Sequence, residues 1–289
     1  MKNLLCLILI FMMGSVFAQK STEEVVGIYK EKSNDPVGGA TIIFSPDNTY
    51  FIFHFGGVQK GTWRLKNQTL TMKRSNEPKF ALYGRNLNNI DFGARLSFST
   101  EARNGVAVRL SSSSKNNFTP VFNENANCFS PPYIYSQKEK LDEFYAAKTI
   151  GFPSNSDSGE KLNAAVYYFN ITEAYNDFIL INLPSQYTEA WSSKARYKDG
   201  MLYLKSGGEG LERRPLETLS EEDAAFIAHY SNKSLLPNEL ESGGEFFPYV
   251  ENPTQEELKN YTRIETSEIL RDSIVIEENS FFTATCEED

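Results

Sequence analysis

The chain has 289 residues, a formal net charge of -9 at pH 7, and 13% aromatic residues. An acidic balance of this size disfavours nucleic acid or anionic lipid as the partner, because phosphate binding needs basic patches. The length is enough for one large domain or for two of ordinary size, and we expect two compact units.

The first eighteen residues have the order of a secretory signal peptide. Lys2 precedes an apolar run from Leu4 to Met13, and small residues lead to Ala18, after which we expect cleavage. The run is too short for a bilayer-spanning helix of roughly twenty residues, and no later segment is a transmembrane candidate. Gln19, not a cysteine, follows the cleavage point, which favours simple secretion over a lipid anchor. The sequence thus predicts a soluble mature chain that is secreted or periplasmic.

Two cysteines remain after the signal peptide, Cys128 and Cys286. In an oxidising compartment disulfides persist, so we expect these two residues to form a bridge. The other interpretation is two separate thiols, one of them buried near Phe129.

Residues 22–123 read as short β-strands, because β-branched and aromatic segments alternate with turn sequences. One such turn is Ser45-Pro46-Asp47-Asn48, in which proline presets φ and Asp or Asn caps its own backbone. The predicted strands are Val25–Lys30, Thr41–Phe44, Tyr50–Phe55, Val58–Leu65, Thr69–Lys73, Lys79–Gly84, Arg95–Ser99 and Val106–Leu110. These are enough to close a small barrel or to form a sandwich, so we predict one all-β unit, an antiparallel meander.

Residues 124–162 are predicted to connect this unit to a second one. The stretch begins with a loop rich in Asn and Pro that Cys128 would anchor. Ser136-Gln137-Lys138-Glu139 has the spacing of a capping box, and apolar residues follow at helical intervals, which predicts a helix over 137–149. The Ser-, Asn- and Gly-rich residues 151–160 predict an exposed linker.

Residues 163–289 predict a β-rich region with short helices, which we interpret as a second, α+β unit. A helix is expected from Ser220 to about Ser231, and a shorter one from Thr254. The predicted strands are Ala164–Phe169, Asp177–Leu183, Ala195–Tyr197, Met201–Lys205, Arg263–Leu270, Ser273–Glu277 and Phe281–Cys286.

Two segments of the chain resemble each other. Arg64–Lys73 aligns with Arg196–Lys205 without a gap, and four of the ten positions are identical. An internal duplication would explain this similarity. The general likeness of meander hairpins also explains it, and we prefer that explanation.

The residues that most catalytic and metal sites need are scarce. The chain has only two histidines, His54 and His229, and we interpret both as structural. Its acidic pairs suit solvated or helix-capping positions, although two carboxylates across a cleft are what a glycosidase would need. The glycine-rich residues 206–210 with Arg213-Arg214 could form an anion nest, but a plain hairpin loop is preferred. We predict no metal and no cofactor.

The segment Phe44–Met72 contains a recognisable pattern. Phe44, Asp47 and Tyr50 are followed by Gly61-Thr62-Trp63 and then by Leu70 and Met72. This arrangement resembles secreted lipocalin-like β-barrel proteins of the bacterial envelope, over about residues 25–100. The resemblance implies a barrel-like meander with a ligand-sized interior, and it transfers no metal site because the chain lacks C-x-x-C.

We therefore predict a mainly β protein with a lipocalin-like barrel or sandwich and a second α+β region, acting by binding and not by catalysis. The expected ligand is a small apolar molecule or a glycan, or the partner is another envelope protein. The predicted ligand-binding residues are Phe51, Phe53, Trp63 and Leu70. The alternatives are a secreted hydrolase that uses carboxylates of the C-terminal half, and a structural module without a pocket.

Overall fold

A computed structural model describes residues 23–32, 39–54, 57–74, 77–90, 93–111, 116–149, 161–204, 208–232, 235–244, 246–248 and 251–286. The predicted signal peptide, 1–18, and the predicted linker, 151–160, lie outside these ranges. The described residues are mainly strand with two α-helices, so the predicted mainly β fold is confirmed.

The first thirteen strands are β1 Gly27–Lys30, β2 Thr41–Phe44, β3 Thr49–His54, β4 Gly57–Lys66, β5 Thr69–Arg74, β6 Phe80–Arg85, β7 Ala94–Phe98, β8 Val106–Leu110, β9 Asn117–Pro120, β10 Ile134–Gln137, β11 Glu143–Lys148, β12 Lys161–Asn170 and β13 Asp177–Asn182. Then follow α1 Ser185–Thr188, β14 Ser192–Lys198, β15 Met201–Tyr203, β16 Leu211–Glu212, α2 Glu221–Asn232, β17 Glu239–Leu240, β18 Tyr261–Ile264 and β19 Glu268–Ile276. Short 3-10 helices lie at Thr100–Arg103, Ala126–Cys128 and Leu216–Thr218.

The chain divides into two compact units, and each unit combines two separate stretches of sequence. The first unit falls within Met1–Glu77 and Ser185–Lys233, and the second within Pro78–Pro184 and Ser234–Asp289. The first stretch of the second unit is thus inserted between β5 and β14 of the first unit, and its other stretch follows the first unit. This division differs from the predicted boundaries at 22–123, 124–162 and 163–289.

The first unit is an antiparallel meander of eight strands in the order β1-β2-β3-β4-β5-β14-β15-β16. Its two ends meet where the backbones of Ile28 and Arg214 exchange two hydrogen bonds, of 2.8 and 2.9 Å. These bonds form one antiparallel bridge between the first strand and the residues after the last, so the meander has a barrel-like arrangement. The bridge covers part of the edges that an open sheet would expose.

The second unit contains a six-stranded sheet and a separate small barrel. The sheet has the order β10-β7-β13-β6-β18-β17, and β7 and β13 run parallel. The closed barrel consists of β11, β12, β19, β9 and β8. A shared core of buried apolar side chains, among them Phe80, Val108, Phe144 and Phe178, holds the sheet to the barrel.

The predicted boundary at residue 123 differs because strand pairing crosses the chain over long distances. Strand β5 pairs with β14, and β6 pairs with β13. Every residue of β6 and of β13 is buried, as expected of strands covered on both faces. The strands from Phe80 to Leu110 therefore belong with the strands after residue 133 and do not extend the first meander.

The helix predicted over 137–149 is wrong. Glu143–Lys148 forms strand β11, which pairs with β8 on one side and with β12 on the other. Phe144 and Ala146 are fully buried on one face while Tyr145 lies on the other, which is the period of two of a strand. Backbone partners on both sides outweigh the local capping signal, so that part of residues 124–162 is β structure.

The helix predicted after Ser220 is confirmed as α2. The Ser220 hydroxyl accepts a hydrogen bond of 3.0 Å from the Asp223 backbone N–H, which caps the helix. At Thr254 the capping-box hydrogen bonds with Glu257 also form. The residues that follow make a turn instead of the predicted short helix.

Candidate functional site

Two of the four predicted ligand-binding residues, Trp63 and Leu70, lie inside the eight-stranded barrel. They are 3% and 0% exposed and belong to one cluster to which strands all round the barrel contribute, with Tyr29, Phe44, Tyr50, Met72 and Leu202. The Trp63 indole N–H donates to the Ser45 carbonyl oxygen at 3.2 Å. Side chains of this size fill the interior around Trp63 and Leu70, where they form core.

The other two predicted residues, Phe51 and Phe53, point to the opposite face of the same sheet. Successive strand residues alternate between faces, so Tyr50 points inward and its neighbour Phe51 outward. Phe51 is fully buried and Phe53 half-buried, and their rings lie 6.1 Å apart. Both pack in a cluster that also contains Ile227 of α2. The structure thus divides the four predicted residues between two sites.

A cavity of about 430 Å³ lies between this outward face and α2, and we call it the outer cleft. Its apolar lining consists of Ile28, Ile43, Phe53, Leu219, Phe226 and Ile227. Phe226 is 47% exposed, and its ring centre lies 5.7 Å from that of Phe53. The volume is within the range of about 300–1,000 Å³ that small-molecule sites occupy.

Two cations, Lys30 and Arg214, also line the outer cleft. Neither side chain forms an ion pair or hydrogen bond with the residues that the structure describes. The backbone of Arg214 is fixed by its two hydrogen bonds to Ile28, so this bridge places the guanidinium beside β1. Asp223 lies on the same lining, at the start of α2, and leaves an excess of one positive charge. The net charge of the whole chain does not reveal such a local excess.

Sequence reasoning singled out Phe53 of this cleft but missed Lys30 and Phe226. It noted Arg213-Arg214 only as the flank of an anion nest at 206–210, a segment that lies partly outside the described residues. In the structure the two arginine side chains have different environments. The Arg213 Nε donates to the Val26 carbonyl oxygen at 2.6 Å, while Arg214 lines the cleft. The available signal was Lys30 itself, the exposed last residue of the otherwise buried strand β1.

The predicted disulfide is confirmed. Cys128 and Cys286 are bonded, with their Cα atoms 5.4 Å apart and a sequence separation of 158. Beside the bridge lies an aromatic cluster in which the ring of Phe122 is 4.9 Å from Tyr133 and 5.2 Å from Phe282. The bridge therefore ties the C-terminal end of the chain to a packed part of the second unit.

Asp177 is the centre of a buried charge network in the second unit that sequence reasoning missed. Arg85 and Arg95 contact its two oxygens at 2.7 and 2.6 Å, and the Tyr261 hydroxyl donates to it at 2.7 Å. Burial, followed by the Asp177 charge, raises the pKa of Tyr261 well above its usual range. The hydrogen bond to Asp177 raises the pKa of Arg95. Because the Asp177 carboxylate is paired with both arginines, we interpret the network as a structural ion cluster.

A second cavity, of about 590 Å³, lies in the second unit. Its lining brings together two exposed carboxylates, Asp142 and Glu173, with polar residues that include Asn86 and Asn88. A glycosidase general acid lies in an apolar, desolvated pocket, whereas both of these carboxylates are exposed. The hydrolase alternative therefore stays a prediction, and the outer cleft is the stronger candidate site.

Within the described residues, no group of three or more His, Cys, Asp or Glu side chains is placed to hold a metal ion. The described helices also include none with the length and apolar character needed to cross a membrane. No family model matches the chain, and no curated protein and no solved structure matches it either. The lipocalin-like resemblance stays a prediction, and the function must be argued from the geometry alone.

Proposed function

We propose that the protein binds an amphipathic anion, an apolar chain with a carboxylate-like head, in the outer cleft. The observation that carries the proposal is the coincidence of an apolar cavity with two cations that have no partner among the described residues. The apolar lining would receive the chain, and Lys30 and Arg214 at the cleft would face the head group. This is the small apolar ligand expected from the sequence, with a charged end added.

The two parts of the cleft contribute differently to binding. Each methylene group moved from water into an apolar site contributes about 0.8 kcal/mol, so the chain supplies most of the affinity. Exposed charge pairs are worth about 0–1 kcal/mol each and mainly set orientation and association rate. Affinity should therefore rise with chain length, while the cations should discriminate an acid from the corresponding alcohol.

We also propose that the mature protein works outside the cytoplasm, in the periplasm or as a secreted protein. The order of residues 1–18 supports this location. The disulfide between Cys128 and Cys286 supports it as well, because such bonds persist in oxidising compartments.

The test is calorimetric titration of the purified protein with dodecanoate and with dodecanol. We expect saturable 1:1 binding of dodecanoate and a several-fold preference for it over the alcohol. Phe226→Ala should weaken both ligands, because it removes exposed apolar lining at little cost to the core. The double substitution Lys30→Met and Arg214→Met should remove the preference for the acid while keeping most of the affinity.

Lys66→Met is the matched control, since Lys66 is an exposed lysine of the same barrel that does not line the cleft. It should leave both titrations unchanged. Dodecanoate that fails to bind, or that binds equally well to the Phe226 variant, would overturn the proposal.

A further inference from the structure

We infer that the first unit has a second binding site, inside the barrel, which takes a small carboxylate. It consists of Tyr50, Arg74 and Trp191, and we call it the inner site. It shares none of its residues with the outer cleft.

The register of the sheet places Tyr50 and Arg74 on the same inward face. Tyr50 of β3 lies opposite Gly61 of β4, and Gly61 lies opposite Arg74 of β5. A side chain at Gly61 would meet the Tyr50 ring, since a Cβ atom there would lie 2.6 Å from Tyr50 Cε1. Glycine therefore lets the tyrosine ring lie across the strand towards Arg74, which gives the glycine of Gly61-Thr62-Trp63 a specific role.

Trp191 completes the site from the other side of β5. Its backbone carbonyl accepts a hydrogen bond of 3.0 Å from the Arg74 N–H. The Arg74 guanidinium carbon lies 5.6 Å from the centre of its ring, and the Tyr50 ring centre lies 6.4 Å from it. One half-buried indole thus contacts both polar residues.

Two polar atoms of the inner site lack hydrogen-bond partners among the described residues. The Tyr50 hydroxyl and the Arg74 Nε are both buried, and neither has a hydrogen-bond partner among the described residues. Tyr50 is 0% exposed. No described carboxylate pairs with the Arg74 guanidinium, whose Nη1 donates a hydrogen bond of 3.4 Å to the Glu189 carbonyl oxygen. Burying donors without acceptors is costly, so such a group indicates an absent acceptor.

The chemistry of these atoms selects a carboxylate. The Arg74 Nε–H can only donate a hydrogen bond. Burial raises the pKa of Tyr50 to about 12, although the Arg74 charge lowers it. The Tyr50 hydroxyl therefore keeps a proton to donate at neutral pH. Two donors suit the two oxygens of one carboxylate, and one guanidinium balances its single negative charge. A phosphate dianion would bring a second negative charge, which the single guanidinium of the inner site does not balance.

The experiment is titration of the full chain with benzoate, followed by tryptophan emission, with inorganic phosphate as a parallel titration. We expect saturable binding of benzoate and none of phosphate. Arg74→Met should weaken benzoate binding by roughly ten- to hundredfold, as for a lost charged hydrogen bond, and Tyr50→Phe by roughly two- to tenfold. Lys73→Met is the matched control, because the adjacent Lys73 is exposed on the outward face of the same strand.

A second measurement separates this site from a merely structural role. Tyr50→Phe removes a hydroxyl that has no partner, so it should weaken benzoate binding without lowering the thermal midpoint of the free protein. If Arg74→Met does not fold, Arg74→Lys and Tyr50→Phe still test the site. The inference is overturned if benzoate does not saturate, if the Lys73 variant loses as much affinity as the Arg74 variant, if phosphate competes, or if Tyr50→Phe lowers the midpoint, which would indicate a hydroxyl satisfied by a bound water.

Discussion

In the second unit, a fully buried aspartate meets two arginines and a tyrosine, whereas in the first unit a buried tyrosine hydroxyl and an arginine nitrogen meet no described partner. Asp177 illustrates the first arrangement, and Tyr50 with Arg74 the second. Lys30 and Arg214 of the outer cleft also lack described partners. Removing one member of a satisfied buried ion cluster destabilises the fold, whereas a polar group without a partner is available to a ligand. We therefore infer that the Asp177 cluster has a structural role and that the ligand-binding sites lie in the first unit.

The largest effect is expected at the buried ion cluster around Asp177. Asp177→Asn leaves the buried Arg85 and the partly buried Arg95 without their counter-ion, and breaking a buried pair costs about 3–5 kcal/mol of unfolding free energy. Hydrogen exchange of the β13 amides should report this loss. Both tryptophans, Trp63 and Trp191, lie in the first unit, so the tryptophan-detected transition should change little. Glu139→Gln, at an exposed carboxylate of the second unit, is the control, and an equal loss there would contradict the prediction.

The next effect tests whether the barrel interior is core or pocket at the predicted ligand residues. Leu70→Ala should cost about 2–5 kcal/mol, because it leaves a cavity at a fully buried position, and tryptophan emission during denaturation should report it. Phe53→Ala should cost less stability and instead weaken dodecanoate binding, since Phe53 is half-buried on the outer cleft. If Leu70→Ala weakened dodecanoate binding and Phe53→Ala did not, the ligand would bind in the interior around Trp63 and Leu70 and not in the outer cleft.

The smallest effect is a pH dependence. The pKa of Tyr50 is raised to about 12 in the folded state, so the protonated form is favoured by folding. Its contribution is fully present below the ordinary tyrosine pKa of about 10 and is lost as the pH rises towards about 12, with a slope of at most about 1.4 kcal/mol per pH unit. Burial also raises the pKa of Tyr29. Denaturation at several alkaline pH values should show this loss, and a slope unchanged by Tyr50→Phe would contradict the assignment.

Local signals predicted local structure well. The turn at Ser45-Pro46-Asp47-Asn48 separates β2 from β3, and the Asp47 carboxylate accepts the Thr49 N–H at 3.0 Å as expected for a self-capping turn. The two similar segments form hairpins β4-β5 and β14-β15, and each turns through a residue at positive φ, Asn67 and Asp199. These features depend on a few adjacent residues, which is why a single sequence reveals them.

Long-range pairing could not be predicted in the same way. Nothing near Thr69–Arg74 indicates that its partner is β14, on the far side of an inserted unit. Asp177 stands at the start of a strand, where an isolated aspartate resembles a turn residue, and its arginine partners come from two other strands. The outer cleft depends on where α2 packs, and the inner site depends on register across three strands. Sequence patterns give the face of a residue but not its partners.

The insertion of the first stretch of the second unit between β5 and β14 also has a consequence for biosynthesis. The chain is synthesised from its N-terminus, so β1 to β5 form an open half-barrel in which one edge of β5 is unpaired until β14 has been synthesised. The second unit waits in turn for its last strands, which follow the first unit in the sequence. Loop closure over so long an insertion costs little extra free energy, because that cost grows only with the logarithm of length. Its effect is on timing, since exposed strand edges in an incomplete chain favour aggregation and the two units must finish folding after nearly the whole chain is available.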